Sequence, residues 1–344
     1  MRLEVEPRRL RFRAPLATAF GTLEEREILA VTVRDRDGVV GVGEAAPLQA
    51  YDGVGLAAVR AQVEGCADVL GAGDDQPLAA LRAACRGRCP LPQARAALDV
   101  ALWDLEARRR DLPLASVLAQ RPAEAVVVNA TIGATDPEAA ARAAAEAAGA
   151  GFRCVKVKVG MGDDAGRLAA VRAAVGDRVA IRIDANGAWS VDEAVTALRA
   201  LAPTGIELCE EPARGAAAIG AVRAALAGAV PVALDESARE PGALATGAAD
   251  AVCLKVAGCG GIGDLLRDAA TARAAGADVY LASTFDGPAG IAAGLHAAAA
   301  LRVARPSGLA TLALFEDVED PFPPVDGVIR VPRLPGLGLA SAKR

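Results

Sequence analysis

The segment CVKVKV, residues 154–159, alternates with the period of a strand, and the positions between its valines are Lys156 and Lys158. Both ammonium groups therefore share one face. Later apolar runs also end in charge. VAIRIDA (179–185) brings Asp184, with Asn186 two residues on and on the same face. GIELCEE (205–211) ends in Glu210 and Glu211, PVALDE (231–236) in Asp235 and Glu236, and AVCLKV (251–256) carries Lys255. DVYLAS (278–283) ends in Ser283, followed by Thr284 and Asp286. Carboxylates converging from neighbouring strands repel one another, and an unpaired buried charge is costly. A hard divalent cation with oxygen ligands removes the conflict, and Mg²⁺ suits that donor set best. A lysine held near a cation and low-dielectric walls has a lowered pKa and can act as a neutral base. A metal flanked by two lysines suits removal of a proton α to a carboxylate, with the metal stabilising the enediolate that forms.

The elements that must position these groups repeat along the chain. From about residue 124, short β-branched runs alternate with helices rich in Ala, Arg and Glu. AVVVNATI (125–132) is the first run, ATLALF (310–315) the last, and there are eight in all. Alternation of strand and helix means parallel pairing, and eight units predict a closed (β/α)8 barrel. Its inward residues near the strands' C-terminal ends would line the active site. The first 120 residues read differently. LEVEPRRLRFR and EILAVTVRDRDGVVGVGEA are antiparallel strands, followed by helices near 55–70, 77–86 and 91–111. The organisation expected is an α+β capping domain over 1–120, a barrel over 121–320 and a returning C-terminal segment over 321–344.

Composition removes several classes. With 344 residues and 53% hydrophobic content the chain is not disordered, and its net charge of −5 carries no footprint for nucleic acid. No apolar run is long enough for a membrane helix, and the charged N-terminus does not read as a signal peptide. The seven cysteines are scattered, which suits a reducing, cytoplasmic setting. The single histidine, His296, sits in an Ala-rich helix and reads as a packing or surface residue. That count nearly excludes a Ser-His-Asp triad or a multi-histidine metal site, so acid–base chemistry falls to Lys, Asp, Glu, Tyr or Cys. No G-x-G-x-x-G follows the first strand, which argues against a dinucleotide fold. Two glycine-rich loops, AGCGGIG (257–263) and FDGPAG (285–290), could offer backbone N–H groups to a second substrate carboxylate. The segments 20–26 and 48–54, with Arg26 and Tyr51, could close over the barrel mouth.

KVK, DAN, EEP, DES and LK, in that order, together with GVGEAAPL and ALDVALWDLEAR, resemble the enolase superfamily and, within it, the muconate lactonizing enzyme subgroup. A lysine base working beside Mg²⁺ is a property of that superfamily. The resemblance implies a modified, enolase-like barrel under an N-terminal α+β cap. It implies Lys158 as the base, Lys156 as its neighbour and Lys255 as the opposing lysine. Asp184, Glu210 and Asp235 would bind Mg²⁺, or Mn²⁺ in its place. Asn186, Glu211 and Glu236 would back these ligands, and Asn129, Ser283, Thr284 and Asp286 would stand behind the site or touch substrate. The substrate would be a small carboxylate, and a homo-oligomer is compatible with the family. VVVNATIG, GEAAPL and GLATLALFEDV are most similar to o-succinylbenzoate synthases, which would make the reaction a syn-dehydration in menaquinone synthesis. Dipeptide epimerases and N-succinylamino acid racemases use the same lysines and ligands. Dipeptide epimerases carry an Asp-x-Asp on the eighth strand that grips an ammonium group, and the nearest pattern here is Asp317-Val318-Glu319.

Overall fold

In the computed structural model, which describes residues 1–18, 21–133 and 136–340, the chain opens with an antiparallel sheet. Strands β1 (Arg2–Thr18), β2 (Gly21–Arg34) and β3 (Val40–Ala45) pair in sequence order. Helices α1 (Gln49–Asp52), α2 (Leu56–Glu64), α3 (Ala67–Gly71), α4 (Leu78–Arg88), α5 (Pro92–Arg109) and α6 (Leu114–Leu118) follow. Pro92 starts α5, where its missing N–H costs nothing. This helix is Ala-rich because it is covered on most sides: Ala97, Leu98, Ala101, Leu102 and Leu105 are fully buried among the sheet and helices α2 to α4. Strand β3 can lie against it only because of glycine. A Cβ on Gly43 would collide with the Ala97 carbonyl, and one on Gly41 with that of Ala101.

The second half is built from β4 (Ala125–Val127), β5 (Ala130–Ile132), α7 (Pro137–Gly149), β6 (Cys154–Lys158), α8 (Asp164–Val175), β7 (Ala180–Asp184), α9 (Val191–Leu201), β8 (Ile206–Glu210), α10 (Ala216–Leu226), β9 (Val232–Leu234), β10 (Ala251–Leu254), α11 (Val256–Cys259), α12 (Ile262–Ala274), β11 (Asp278–Leu281) and α13 (Pro288–Leu301). Strands β5 to β11 form one curled parallel sheet of seven, in sequence order. Helix starts follow their sequence signals: Ser190 and Glu193 form a reciprocal capping box on α9, and Asp136 caps α7. This is the α/β, enolase-like architecture expected, with one correction to the strand count. ATLALF is not the eighth strand. Residues 312–314 form a 3₁₀ turn, and the closing position is taken by Ser307 and Gly308, which bridge Val128 on one side and Ala282 on the other. The apolar alternation at 310–315 has another cause. Phe315 is fully buried against Phe12 of β1, ring centroids 4.7 Å apart, beneath the β1–β2 hairpin. The first expected strand also divides, because Ala125–Val127 pairs antiparallel with β12 (Val328–Arg330) whereas Ala130–Ile132 pairs with β6. The C-terminal segment continues back to α5, where the Leu337 N–H donates to Asp104 Oδ1 at 2.6 Å.

Two carboxylates fasten the first half to the second. Asp99 of α5 accepts from the Ile262 and Gly263 N–H groups at 2.7 and 3.3 Å, and so caps α12. Glu44 of β3 accepts from the Gly287 N–H at 2.6 Å, ahead of α13. Three donors of the glycine-rich loops, at Ile262, Gly263 and Gly287, are thus taken by the capping half, whereas Ala257 and Gly258 line the cavity beside Lys255. Positive partial charge at a helix N-terminus suits an acidic partner in either case. The single histidine is also structural: His296 is fully buried in α13 and its Nδ1 accepts from the Ala115 N–H at 3.1 Å.

Burial raises the Glu44 carboxyl to about 8, and the nearby Asp286 adds to the rise; the Gly287 N–H and Arg26 oppose it. The folded state therefore binds this proton more tightly than the unfolded chain. Its contribution to stability is complete below about pH 4.5 and is lost as pH rises through about 8. Glu44→Gln should remove that dependence. Between about pH 5 and 8 the wild-type unfolding free energy, measured by urea denaturation, should fall relative to the variant by up to about 1.4 kcal/mol per pH unit. Parallel pH profiles would reject this account. Gly43→Ala should cost about 2 kcal/mol by the same measurement, through its clash with α5.

Candidate active site

Strand β6 places Val155 and Val157 in the fully buried layer beneath the helices, and turns Lys156 and Lys158 to the interior of the sheet's curve. The parallel register sets Lys158 beside Asp184 and Asp184 beside Glu210. The next strand, β9, leads into Asp235. Asp184, Glu210 and Asp235 are 1%, 1% and 6% exposed, so three carboxylates stand almost dry on three successive strands. The ammonium groups turn onto them. Lys158 Nζ donates to Asp184 Oδ2 and Asn186 Oδ1, both at 2.6 Å. Lys156 Nζ lies 2.8 Å from Asp184 Oδ2 and also bonds Glu210. Lys255 follows β10 and pairs with Asp235 from the other flank.

The residues behind these groups form a second tier. The Asn186 N–H donates to Asp184 Oδ1 at 3.0 Å, and its Nδ2 to Glu236 Oε1 at 2.9 Å. Glu211 accepts from the Asp235 and Ser237 N–H groups at 2.8 and 3.1 Å. Both Asn186 and Glu211 hold left-handed backbone, with φ of 46° and 43°. Asn tolerates that conformation; Glu is rarely found in it, which marks a turn held by its surroundings.

Electrostatics follow from this packing. Burial opposes the Lys156 ammonium, but Asp184, Glu210 and Asp235 outweigh it and hold its pKa well above the ordinary lysine value. Lys255 is raised in the same way, burial being overcome chiefly by Asp235. Both ammonium groups are thus held charged by the carboxylates they touch. Burial also opposes the Asp184 carboxylate, yet Lys156 and Lys158 carry its pKa below the usual range. Burial and Glu236 lift Glu211 to about 8, and burial with Asp235 lifts Glu236 to about 7.

A cavity of about 460 Å³ opens beside Lys255 and Asp235. Tyr51, carried by the short helix α1 of the capping half, reaches into it; its Oη lies 3.1 Å from Lys255 Nζ and 3.4 Å from Asp235 Oδ1. Arg239 lies over the Tyr51 ring, 5.0 Å from its centroid. Thr284 lines the same cavity. Arg26 does not: it is 3% exposed and holds the Ala46 and Pro47 carbonyls. Ser283 bonds Thr311, and Asp286 accepts from Thr284 at 2.8 Å on the side facing Glu44. Asn129 is 2% exposed, and neither of its side-chain polar atoms has a partner among the described residues. Asp317 and Glu319 are exposed, and Asp317 accepts from the Arg11 N–H at 3.1 Å, away from the cavity lining.

Sequence reading missed Arg182. It is fully buried two residues before Asp184, lies 4.2 Å from the Tyr280 ring centroid and reaches to 3.7 Å from Glu210 Oε1. It donates to Glu207 at 3.2 Å and to the Pro306 carbonyl at 3.0 Å. Its signal was its place on the same strand face as Asp184.

The donor set fits a hard divalent cation. Glu210 and Asp235 oxygens come within 4.8 Å of each other and of Cys253 Sγ, and Lys156 joins Glu210 to Asp184. Oxygen donors match Mg²⁺; Asp184, reached through Lys156, stands outside the group that Glu210 and Asp235 form.

Comparison with known proteins agrees with this architecture. Residues 2–119 match the model for the mandelate racemase / muconate lactonizing enzyme N-terminal domain, and residues 138–343 the enolase C-terminal domain-like model. The chain is 34% identical to the L-Lys-D/L-Arg epimerase of Methylococcus capsulatus over 345 aligned residues, covering 94% of each protein. It is 40% identical to the o-succinylbenzoate synthase of Thermobifida fusca over 223 residues, 61% of this chain and 68% of that one. A crystal structure of a dipeptide epimerase from Methylococcus capsulatus, complexed with Mg and the dipeptide L-Arg-D-Lys, superposes with a TM-score of 0.87 at 32% identity over 98% of this chain and 99% of that one. The chain belongs to the mandelate racemase / muconate lactonizing enzyme family of the enolase superfamily.

Proposed function

We propose that the protein is an epimerase that inverts the carbon α to a carboxylate, with dipeptides as its substrate class. The observation that carries the reading is the extent of similarity, 94% of this chain with an epimerase against 61% with an o-succinylbenzoate synthase; Lys158 and Lys255 stand on opposite flanks of one carboxylate cluster, from strands separated in the sheet by β7, β8 and β9. Inversion needs an acid–base group on each face of the reacting carbon. The near full-length similarity to epimerases supports it. It replaces the dehydration expected from sequence as the leading assignment.

Asp184, Glu210 and Asp235 would hold Mg²⁺, which when bound supplies positive charge to stabilise the substrate carboxylate as its α-proton leaves. Charge neutralised on those carboxylates frees the lysines to turn toward substrate. Lys158, as the neutral amine, takes the α-proton. Lys255, as the ammonium, gives a proton to the opposite face, and the pair then stands ready for the reverse reaction. Lys156 stays charged between Asp184 and Glu210. Asn186, Glu211 and Glu236 fix the turns that aim the ligands. Tyr51 limits the space over Lys255; the cavity of about 460 Å³ reaches Lys255 and Asp235, and Lys158 stands outside its lining.

A second reading, dehydration by an o-succinylbenzoate synthase, is favoured by one observation. Asp317 and Glu319 face solvent, and Asp317 is engaged by the Arg11 N–H at 3.1 Å rather than open to a dipeptide ammonium.

Incubation with Mg²⁺ in D₂O and a dipeptide panel separates the two. Epimerisation puts deuterium on the α-carbon of a dipeptide, whereas dehydration releases water from a hydroxylated cyclohexadiene carboxylate and leaves dipeptides untouched. Lys158→Ala and Lys255→Ala should each lower turnover by about 10²–10⁴-fold, with Mg²⁺ affinity by calorimetry kept. Near-normal rates would refute their roles. Asp235→Asn should weaken Mg²⁺ binding in the same calorimetric assay, and unchanged affinity would remove Asp235 from the ligand set.

A further inference from the structure

Three of the seven cysteines meet in the capping half. Cys66 stands at the N-terminal end of α3 and Cys89 just past the C-terminal end of α4, and their Sγ atoms are 3.5 Å apart. Cys85, one turn before Cys89 on α4, is also hydrogen-bonded to Cys66. Cys154, Cys209 and Cys253 are instead buried one by one in separate barrel strands. The segments that carry Cys66 and Cys89 are already held together: Cys89 Sγ lies 3.4 Å from the Gln62 carbonyl, and the Leu91 N–H donates to Gln62 Oε1 at 2.9 Å.

The cluster lies close beneath the surface. Cys66 and Cys89 are themselves fully buried, yet Gly65, Ala67, Arg88 and Pro90 beside them are exposed. Arg88 and Asp68, both exposed, pair at 3.2 Å and join the same two segments. Exposed ion pairs contribute little, and helix ends open readily, so a water-sized oxidant needs only local fraying to arrive. The three thiols are also unequal. Hydrogen bonds from Cys85 and then Cys89 outweigh burial and lower the Cys66 pKa, with Arg88 adding to the fall. The same bonds raise the other two thiols. Cys66 is thus the thiolate of the three, and the thiolate is the nucleophile.

We propose that Cys66 and Cys89 are a redox pair that hydrogen peroxide closes into a disulfide, stapling the turn after α2 to the start of α5. The Cys66 thiolate attacks one peroxide oxygen, the O–O bond breaks, and Cys66 becomes a sulfenic acid as the first water leaves. The Cys89 sulfur then attacks the Cys66 sulfur, the S–S bond forms, and the sulfenic oxygen leaves as a second water with the Cys89 proton. Two thiols are oxidised and one peroxide is reduced to two waters; a dithiol reductant reverses the change. The movement required is small, since the sulfurs now 3.5 Å apart need only close to about 2.05 Å. The proposal does not depend on which reaction the protein catalyses.

Trypsin leaves the three cysteines on three peptides, 61–82, 83–86 and 89–95. Reduced full-length protein should be treated with hydrogen peroxide under native conditions, blocked with N-ethylmaleimide in urea, and mapped by mass spectrometry without reduction. The expected result is a link between peptides 61–82 and 89–95, removed by dithiothreitol and formed about ten-fold or more faster than the Cys154 thiol is lost. Cys66→Ser and Cys89→Ser should abolish the link, and Cys85→Ser should leave it in place. The linked protein should unfold about 5 °C or more above the reduced one, because its denatured chain carries a closed loop. A link from 61–82 to 83–86 in its place, sulfinic acid at Cys66 with no link, loss of Cys154 at the same rate, or equal unfolding midpoints would each overturn the proposal. The wild-type map decides alone if a serine variant does not fold.

Discussion

Three carboxylates in the dry mouth of a curled parallel sheet set the terms for everything around them. Asp184, Glu210 and Asp235 are buried on neighbouring strands, where their mutual repulsion would be prohibitive without positive charge close by. Two lysines from β6 and one after β10 meet that need from both flanks, and Arg182 stands nearby. The same crowding explains the second tier. Asn186 and Glu211 accept left-handed backbone because their side chains must tie adjoining strand ends together. The cluster is thus a balance of charges within a rigid frame.

The capping half contributes through docking as much as through contact. Glu44 and Asp99 each fill backbone donors at the start of a barrel helix. Together with the closely packed α5 they fix the position of α1, and therefore of Tyr51, over Lys255. A small helix of four residues can present a side chain reproducibly only because the elements beside it are held so firmly.

Much of this was legible in the chain. The charged strand ends are two-residue signals on apolar runs, and the period of a strand is enough to place Lys158, Asp184 and Asn186 on a common side. The fold class followed from the alternation of runs and helices. What failed did so for physical reasons. ATLALF has strand-like apolar spacing because it packs under a hairpin rather than in a ladder; apolar spacing reports burial, not its partner. The glycine loops looked like open anion sites, yet Asp99 lies more than 160 residues from the donors it fills. Arg182 was passed over because a single arginine in an apolar strand resembles a solvated face. The raised pKa values of Lys156 and Lys255 were not foreseeable from residue types, since they depend on how closely each ammonium approaches its carboxylates.

The double tether through Glu44 and Asp99 also bears on how molecules enter and leave. Swinging the whole cap aside would strip two barrel helices of their N-terminal acceptors and bring the Glu44 carboxyl into water. Entry that leaves both tethers intact has the Tyr51 turn before it, which carries neither of them. A movement confined to that turn would be one of a segment rather than of a domain, and would leave the charged floor of the barrel in place.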